Sequence, residues 1–203
     1  VVKKKAVSLF NTIAPFYGLF FRFQVNYYRR ILERVKCDVD LTQYESVVDV
    51  GCGTGALCYV LQSRGLQVTG VDSAGKMLAI AAKKLARTDV ALVQACATEP
   101  IPLPDKRFDV AISSYTVHGL KTAERKKMYR EMSRLATHLV IFHDYNDQRG
   151  WITDLAERLE GGDYFNFIEN AEKEMKEHFR AVRVLNVGSQ AAWYVCTPCN
   201  ILG

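Results

Sequence analysis

The chain has 203 residues, 49% of them apolar and 24% charged, with 27 Lys and Arg against 22 Asp and Glu for a net charge of +5. That length can bury a full core in one domain, and no apolar run approaches the roughly 20 residues that span a bilayer. The basic excess lies in short clusters (Lys3–Lys5, Arg29–Arg30, Lys83–Lys84, Arg125–Lys127) typical of solvated helix surfaces, so nucleic-acid binding is not indicated.

The opening Val1-Val2-Lys3-Lys4-Lys5 has no apolar core of a secretory signal. Six scattered cysteines, in a chain too large to need covalent staples, indicate a reduced, cytoplasmic protein.

The first predicted element is a helix from Asn11 to Lys36. Pro15 suits its first turn, and Phe16, Phe20, Phe23, Tyr27 and Ile31 recur at three- and four-residue steps along one face. A strand at Ser46–Val50 leads into a helix at Thr54–Arg64, ended by Gly65, and a strand at Leu66–Val71. Ser73 is a suitable N-cap for a helix reaching about Ala86, followed by a strand at Ala91–Ala95. The three prolines between Thr98 and Arg107 require a loop.

Beyond the loop, strands are predicted at Phe108–Ser113 and His138–His143, flanking a helix at Thr122–Leu135. Helices follow at about Trp151–Glu160 and Phe167–Phe179. Strands at Arg180–Val187 and Ala191–Thr197, joined by Gly188-Ser189-Gln190, read as a hairpin. The alternation describes an α/β, Rossmann-like, doubly wound and mostly parallel seven-stranded sheet with a C-terminal antiparallel hairpin. It is one domain, 1–203, in which residues 1–40 form an N-terminal helical lid and 41–203 the core.

The most specific signal is Val47-Val48-Asp49-Val50-Gly51-Cys52-Gly53-Thr54-Gly55, a buried strand entering a turn with three glycines. Glycine permits a tight turn and close approach of backbone to ligand. Asp72 ends the next strand, placed to accept from a ribose hydroxyl pair, and strand, glycine turn, helix, strand and acid compose a nucleotide-binding unit. Ligands of such sheets bind outside the carboxyl ends of the strands. The Gly51 turn, Asp72, the segment after Ala95, Ser113–His118 and His143–Asn146 all belong to that edge.

These residues resemble the class I S-adenosylmethionine-dependent methyltransferases over most of the chain. Val48 to Gly55 is similar to the family's D-x-G-x-G-x-G strand end, and Val71-Asp72 with Ser73 to Leu78 to its second motif. Pro102 to Val110 is similar to its proline-rich approach to the fourth strand. Phe10-Asn11-Thr12-Ile13-Ala14-Pro15-Phe16-Tyr17 further resembles the N-terminal segment of the quinone-biosynthesis branch.

The resemblance implies S-adenosylmethionine as cofactor and S-adenosylhomocysteine as product. It puts Gly51, Cys52, Gly53, Thr54 and Gly55 beside the methionine part, Asp49 at its amino group or at the turn, and Asp72 on the ribose. Ser73 and Met77 would flank the adenine, Tyr17 would cover the methionine end, and Ser113 would border the site. Where the family often has Asp-Ala after the third strand, this chain has Cys96-Ala97-Thr98, so adenine recognition would rest on backbone groups and packing.

A nicotinamide dinucleotide is the rival ligand, since Gly51-x-Gly53-x-x-Ala56 meets the looser dinucleotide pattern. Asp49 argues against it: a carboxylate repels a pyrophosphate but suits a sulfonium and an ammonium. A non-catalytic S-adenosylmethionine-binding scaffold or sensor is the other alternative. His118 and His143 are the candidate catalytic bases, with Asp144 and Tyr145 at the same edge; each histidine can equally be structural. No Asn/Asp-Pro-Pro-aromatic sequence follows Ser113 and the carboxylate set for a metal is incomplete, leaving a small planar or apolar acceptor. Cys196-Thr197-Pro198-Cys199 is half a zinc site, and packing accounts for it more simply.

Overall fold

A computed structural model describes Thr12, Ala14 and residues 18–148 and 163–199. The expectations for Phe16, Tyr17 and the helix at 151–160 lie outside them. Seven strands form a sheet of order β3-β2-β1-β4-β5-β7-β6, in which β7 is the reversed strand, as the sequence predicts. The chain divides into two compact units at residues 97 and 98.

The first unit contains helix α1 (Phe21–Val35), strand β1 (Ser46–Val50), helix α2 (Ala56–Gln62), strand β2 (Gln67–Asp72), helix α3 (Gly75–Lys84) and strand β3 (Ala91–Gln94). The three strands are parallel, with Asp49 opposite Gly70 and Asp72 opposite Gln94. All five residues of β1 are buried, as a parallel strand covered on both faces requires. Gly65, at φ +92°, lets the chain leave α2, and Leu66 N–H donates back to Leu61 O (3.4 Å).

The buried face of α1 differs from the predicted one. Phe21, Val25, Ile31, Leu32 and Val35 are buried, whereas Leu19, Phe20 and Phe23 are 78%, 57% and 66% exposed. The segment carries two apolar stripes, and periodicity alone cannot say which one packs. Phe21 meets Tyr59 of α2 edge-on at 6.1 Å, and that contact fixes the choice.

The second unit contains strand β4 (Phe108–Ser114), a 3-10 turn at Val117–Gly119, helix α4 (Thr122–Leu135), strand β5 (Ala136–Tyr145), helix α5 (Tyr164–Lys176) and strands β6 (Ala181–Asn186) and β7 (Ala191–Thr197). Strand β5 exceeds its predicted span at both ends; at the first, α4 passes into it without a loop. Helix α5 lies about three residues earlier than predicted.

Arg125 is fully buried on α4. Its guanidinium donates to both carboxylate oxygens of Glu174 (2.8 and 2.7 Å), to Asp163 (2.9 Å), to Asn166 (2.7 Å) and to the Leu120 carbonyl (2.6 Å). This network joins α4 to α5 and to the 3-10 turn. Arg134 restrains the proline loop by binding the carbonyls of Ile101 and Leu103 and the Asp105 carboxylate.

Candidate functional site

In the first unit, the turn after β1 needs its glycines. Gly51, Gly53 and Gly55 have φ of +84°, +53° and +81°, in the left-handed region that other residues enter at a cost. The turn is also pinned: Gly51 N–H and Cys52 N–H both donate to Val71 O (2.7 and 3.0 Å). Gly53 and Gly55 have different surroundings. A Cβ on Gly55 would stand 2.7 Å from Leu85 Cδ1, whereas one on Gly53 would meet nothing within 4 Å. Gly55 thus serves close packing, and Gly53 lines open space.

Asp72 braces the turn from β2. Its Oδ2 accepts from Gly53 N–H and its Oδ1 from Ala74 N–H, both at 2.8 Å. Burial raises its pKa, while the N–H groups of Ala74, Gly53 and Ser73 act in the opposite sense. Each carboxylate oxygen has a second lone pair, so these bonds leave acceptor capacity for a hydroxyl pair. Ser73 is not the cap of α3: the N-cap is Ala74 without a side-chain bond, and Asp72 supplies the acceptor.

Asp49 is 1% exposed. Its Oδ2 accepts from the Cys58 thiol (3.2 Å), and its Oδ1 has no hydrogen-bond partner among the described residues. Burial raises its pKa to about 7, against a smaller lowering by Cys58. A buried carboxyl oxygen lacking a partner is costly, and a cation placed beside it would relieve that cost and favour ionisation. The ammonium and sulfonium of S-adenosylmethionine meet this requirement; a pyrophosphate does not. Cys58, whose role the sequence did not signal, keeps its thiol proton: its hydrogen bond with Cys52 and its burial hold its pKa well above the ordinary value.

Thr54 is buried and its hydroxyl donates to Gln24 Oε1 (3.3 Å). Met77 is buried with Ala14 and Ala74, while Ser73, Cys96 and Ala97 are half-buried. Tyr17 lies outside the described residues.

In the second unit Thr98 and Ser113 are buried, and Ser113 pairs with Phe142 in the β4–β5 register, next to the Ser114–His143 pair. That register brings the ends of the two strands together. His118 Nδ1 lies 2.7 Å from Asp144 Oδ1, and Asp144 also accepts from the backbone N–H groups of Val117 (3.0 Å), His118 (3.3 Å) and Tyr145 (2.9 Å). His143 is 1% exposed, and burial lowers its pKa to about 4. It packs on Tyr115 at 5.0 Å and Trp193 at 6.3 Å between centroids.

Tyr145 meets His118 at 4.8 Å, Tyr115 at 5.3 Å and Tyr164 at 5.0 Å. Tyr115 has φ +49°, a conformation that costs a residue with a side chain about 1–3 kcal/mol and occurs mainly at functional sites. Sequence pattern placed His118, His143, Asp144 and Tyr145 at one edge; the strained Tyr115 and the contributions of Tyr164 and Trp193 had no local signal.

Of the C-x-x-C pair, Cys196 is buried and Cys199 exposed with its thiol on His178 O (3.4 Å). Among the described residues no group of three His, Cys, Asp or Glu could hold a metal ion, and no helix is long and apolar enough to cross a membrane.

Comparison with known proteins agrees with this architecture. A family model described as a methyltransferase domain matches residues 47–138. The chain is 29% identical over 140 residues to a demethylmenaquinone methyltransferase of Thermotoga maritima, covering 66% of this chain and 57% of that protein. It is 36% identical over 101 residues to a malonyl-[acyl-carrier protein] O-methyltransferase of Geobacter sulfurreducens, covering 48% and 38%. The chain thus spans about half the length of the curated relatives it matches.

Among solved structures, magnesium protoporphyrin IX methyltransferase of Synechocystis, which has S-adenosylhomocysteine bound, superposes with a TM-score of 0.62. It is 15% identical, and the match covers 86% of this chain and 83% of that one; at that identity the likeness concerns the fold. The left-handed glycine turn and the Asp72 brace lie within the stretch, residues 47–138, over which the chain is similar to a methyltransferase domain.

Proposed function

We propose that this protein transfers a methyl group from S-adenosylmethionine to a small-molecule acceptor and releases S-adenosylhomocysteine. The observation that carries the reading is the Oδ1 of buried Asp49, without a hydrogen-bond partner among the described residues, beneath a glycine turn that Asp72 braces. The bound sulfonium supplies an already activated methyl group, so the chain's own task is to bind, orient and exclude water; positioning can supply about 7–11 kcal/mol.

In this reading Asp49 faces the cationic methionine end, and the backbone from Gly51 to Gly55 lies alongside it with Cys52 and Thr54. Asp72 accepts from the ribose hydroxyls with the lone pairs its backbone bonds leave over. Ser73, Met77, Cys96 and Ala97 border the adenine through packing and main-chain groups. Residues 1–40 act as a lid; Leu19, Phe20 and Phe23 leave an apolar face for that role. The free cysteines fit a reducing compartment, and we assign the protein to the cytoplasm. Of the two candidate bases we favour His118, since burial lowers the pKa of His143 to about 4 and makes it a weak base.

Calorimetric titration with S-adenosylmethionine, S-adenosylhomocysteine and NAD tests the cofactor. Micromolar binding of the first two, and none of the third, is expected. Binding of NAD alone would overturn the reading, and formation of S-adenosylhomocysteine with an acceptor separates an enzyme from a non-catalytic binder.

A further inference from the structure

We propose that Cys58 is a positioning residue of the cofactor site: its thiol engages Oδ2 of Asp49 and leaves Oδ1 to the cationic end of the bound ligand. The inference rests on the methyl-transfer reading and deepens it, and every residue it uses belongs to the first unit.

Strand register and the start of α2 bring these groups together. Asp49 on β1 is opposite Gly70 on β2, and Gly70 is opposite Leu92 on β3. Paired residues of neighbouring strands present their side chains to one face. Gly70 has no side chain, and two sulfurs take the room. A Cβ there would stand 2.9 Å from Cys52 Sγ, 3.0 Å from Cys58 Sγ and 3.0 Å from Leu92 Cδ2. Cys58 is fully buried in the first turn of α2, and its thiol donates to Asp49 Oδ2 at 3.2 Å.

Asp49 Oδ1 has no hydrogen-bond partner among the described residues. Both oxygens of a carboxylate are acceptors, so the thiol decides which of them the ligand meets. Volume alone does not call for sulfur at this position. Alanine or valine would fill space there, but would leave neither oxygen of a buried carboxyl with a side-chain donor, which is costly.

The choice of sulfur has a second effect. A thiol is a weak donor, so Asp49 keeps its proton while the site is empty: burial raises its pKa to about 7, and Cys58 lowers it by less. A stronger donor would favour the carboxylate and leave a buried charge without a counterion before any ligand arrived. With the thiol, ionisation accompanies binding, and the Asp49 proton passes to solvent as the sulfonium and ammonium take their places. The titratable groups that face Asp49 within the unit are Cys58 on α2, Cys52 in the glycine turn and Asp72 on β2. Asp72 adds to the resistance to ionisation.

The test titrates the full chain with S-adenosylmethionine at pH 6, 7 and 8, in buffers of different ionisation enthalpy, and compares wild type with Cys58→Ser and Cys58→Ala. Wild type is expected to release about one proton per ligand bound at pH 6, and fewer at pH 8. The pH midpoint of affinity should move down by about one unit in Cys58→Ser, which donates more strongly, and up by about one unit in Cys58→Ala. At pH 6 the first variant should then bind up to about tenfold more tightly than wild type and the second up to about tenfold more weakly. The α-amino group of the free ligand titrates alike for all three proteins. A residue that only fills space moves no midpoint. Wild-type proton release and Cys58→Ser keep the test decisive even where Cys58→Ala fails to fold.

No proton release by wild type at pH 6, or one midpoint shared by wild type and Cys58→Ser, overturns the proposal alone. Failure of wild type to bind S-adenosylmethionine at any pH removes the methyl-transfer reading itself.

Discussion

Asp72 Oδ2 and the Gly53 amide lie 2.8 Å apart across 19 residues of sequence, so the acid that ends β2 also holds the turn that ends β1. Its other oxygen holds the start of α3 through Ala74. The shape of the turn and the start of α3 therefore depend on one side chain.

Asp72→Ala is expected to weaken S-adenosylmethionine binding by about 1.5–3 kcal/mol, the range for hydrogen bonds to a charged group. It should also lower stability, because two amides lose their acceptor. Calorimetry and urea unfolding on the same sample measure both. Weakened binding at full stability would show that the brace adds nothing to the fold.

Asp49 predicts a pH dependence. Its carboxyl titrates near 7 folded, against 3.8 for the ordinary group, so between those values the folded chain holds a proton that the unfolded chain has released. Stability must therefore fall as pH rises from about 4 through 7. Asp49→Asn should remove this component of the slope. Affinity for S-adenosylmethionine should move the other way, rising by up to about tenfold per pH unit below 7 as the carboxylate forms. Titrations at pH 6, 7 and 8 check this; a flat profile would detach Asp49 from the cationic end.

The glycine turn separates stability from binding. Gly55→Ala combines a left-handed backbone with a 2.7 Å approach to Leu85, and overpacking alone costs about 1–3 kcal/mol. Gly53→Ala meets no neighbouring atom, so only the backbone cost of about 1–2 kcal/mol applies. The midpoint of unfolding should fall further for Gly55→Ala, while Gly53→Ala should show the larger loss of cofactor affinity relative to its loss of stability.

Arg125 supplies a test away from the site. Glu174→Ala removes the bidentate partner of a fully buried guanidinium but leaves Asp163 on it, so a loss at or below the low end of about 3–5 kcal/mol is expected. Replacing both partners with methionine should recover much of that loss. Denaturant unfolding of the single and double variants reads the difference.

Much of this was legible in advance because local chemistry set it. Three glycines in five residues after a buried strand specify a left-handed turn, and the spans Ser46–Val50, Thr122–Leu135 and Ala191–Thr197 appear where pattern and flanking residues put them. The orientation of α1 was not legible, since Phe20 and Phe23 are as apolar as Phe21 and Val25, and only contact with Tyr59 distinguishes them. The same limit applies to His118 and Asp144. Each is visible at a strand end, but their 2.7 Å contact across 26 residues depends on the β4–β5 register, which no local pattern encodes. Sequence position marks Asp72 as a ligand group, and its bonds to the backbone of Gly53 and Ala74 appear only once the turn is folded.

The last strand in sequence, β7, lies between β5 and β6, and β6 pairs with no other strand among the described residues. During synthesis β6 therefore emerges before its one strand partner among the described residues and must wait for residues 191–197, whereas β1, β2 and β3 can pair as soon as they appear. A released chain that ends before Ala191 would hold a second unit with its hairpin unmade. A chain ending at Gln190 should be far more open to protease than one carrying the seven residues of β7.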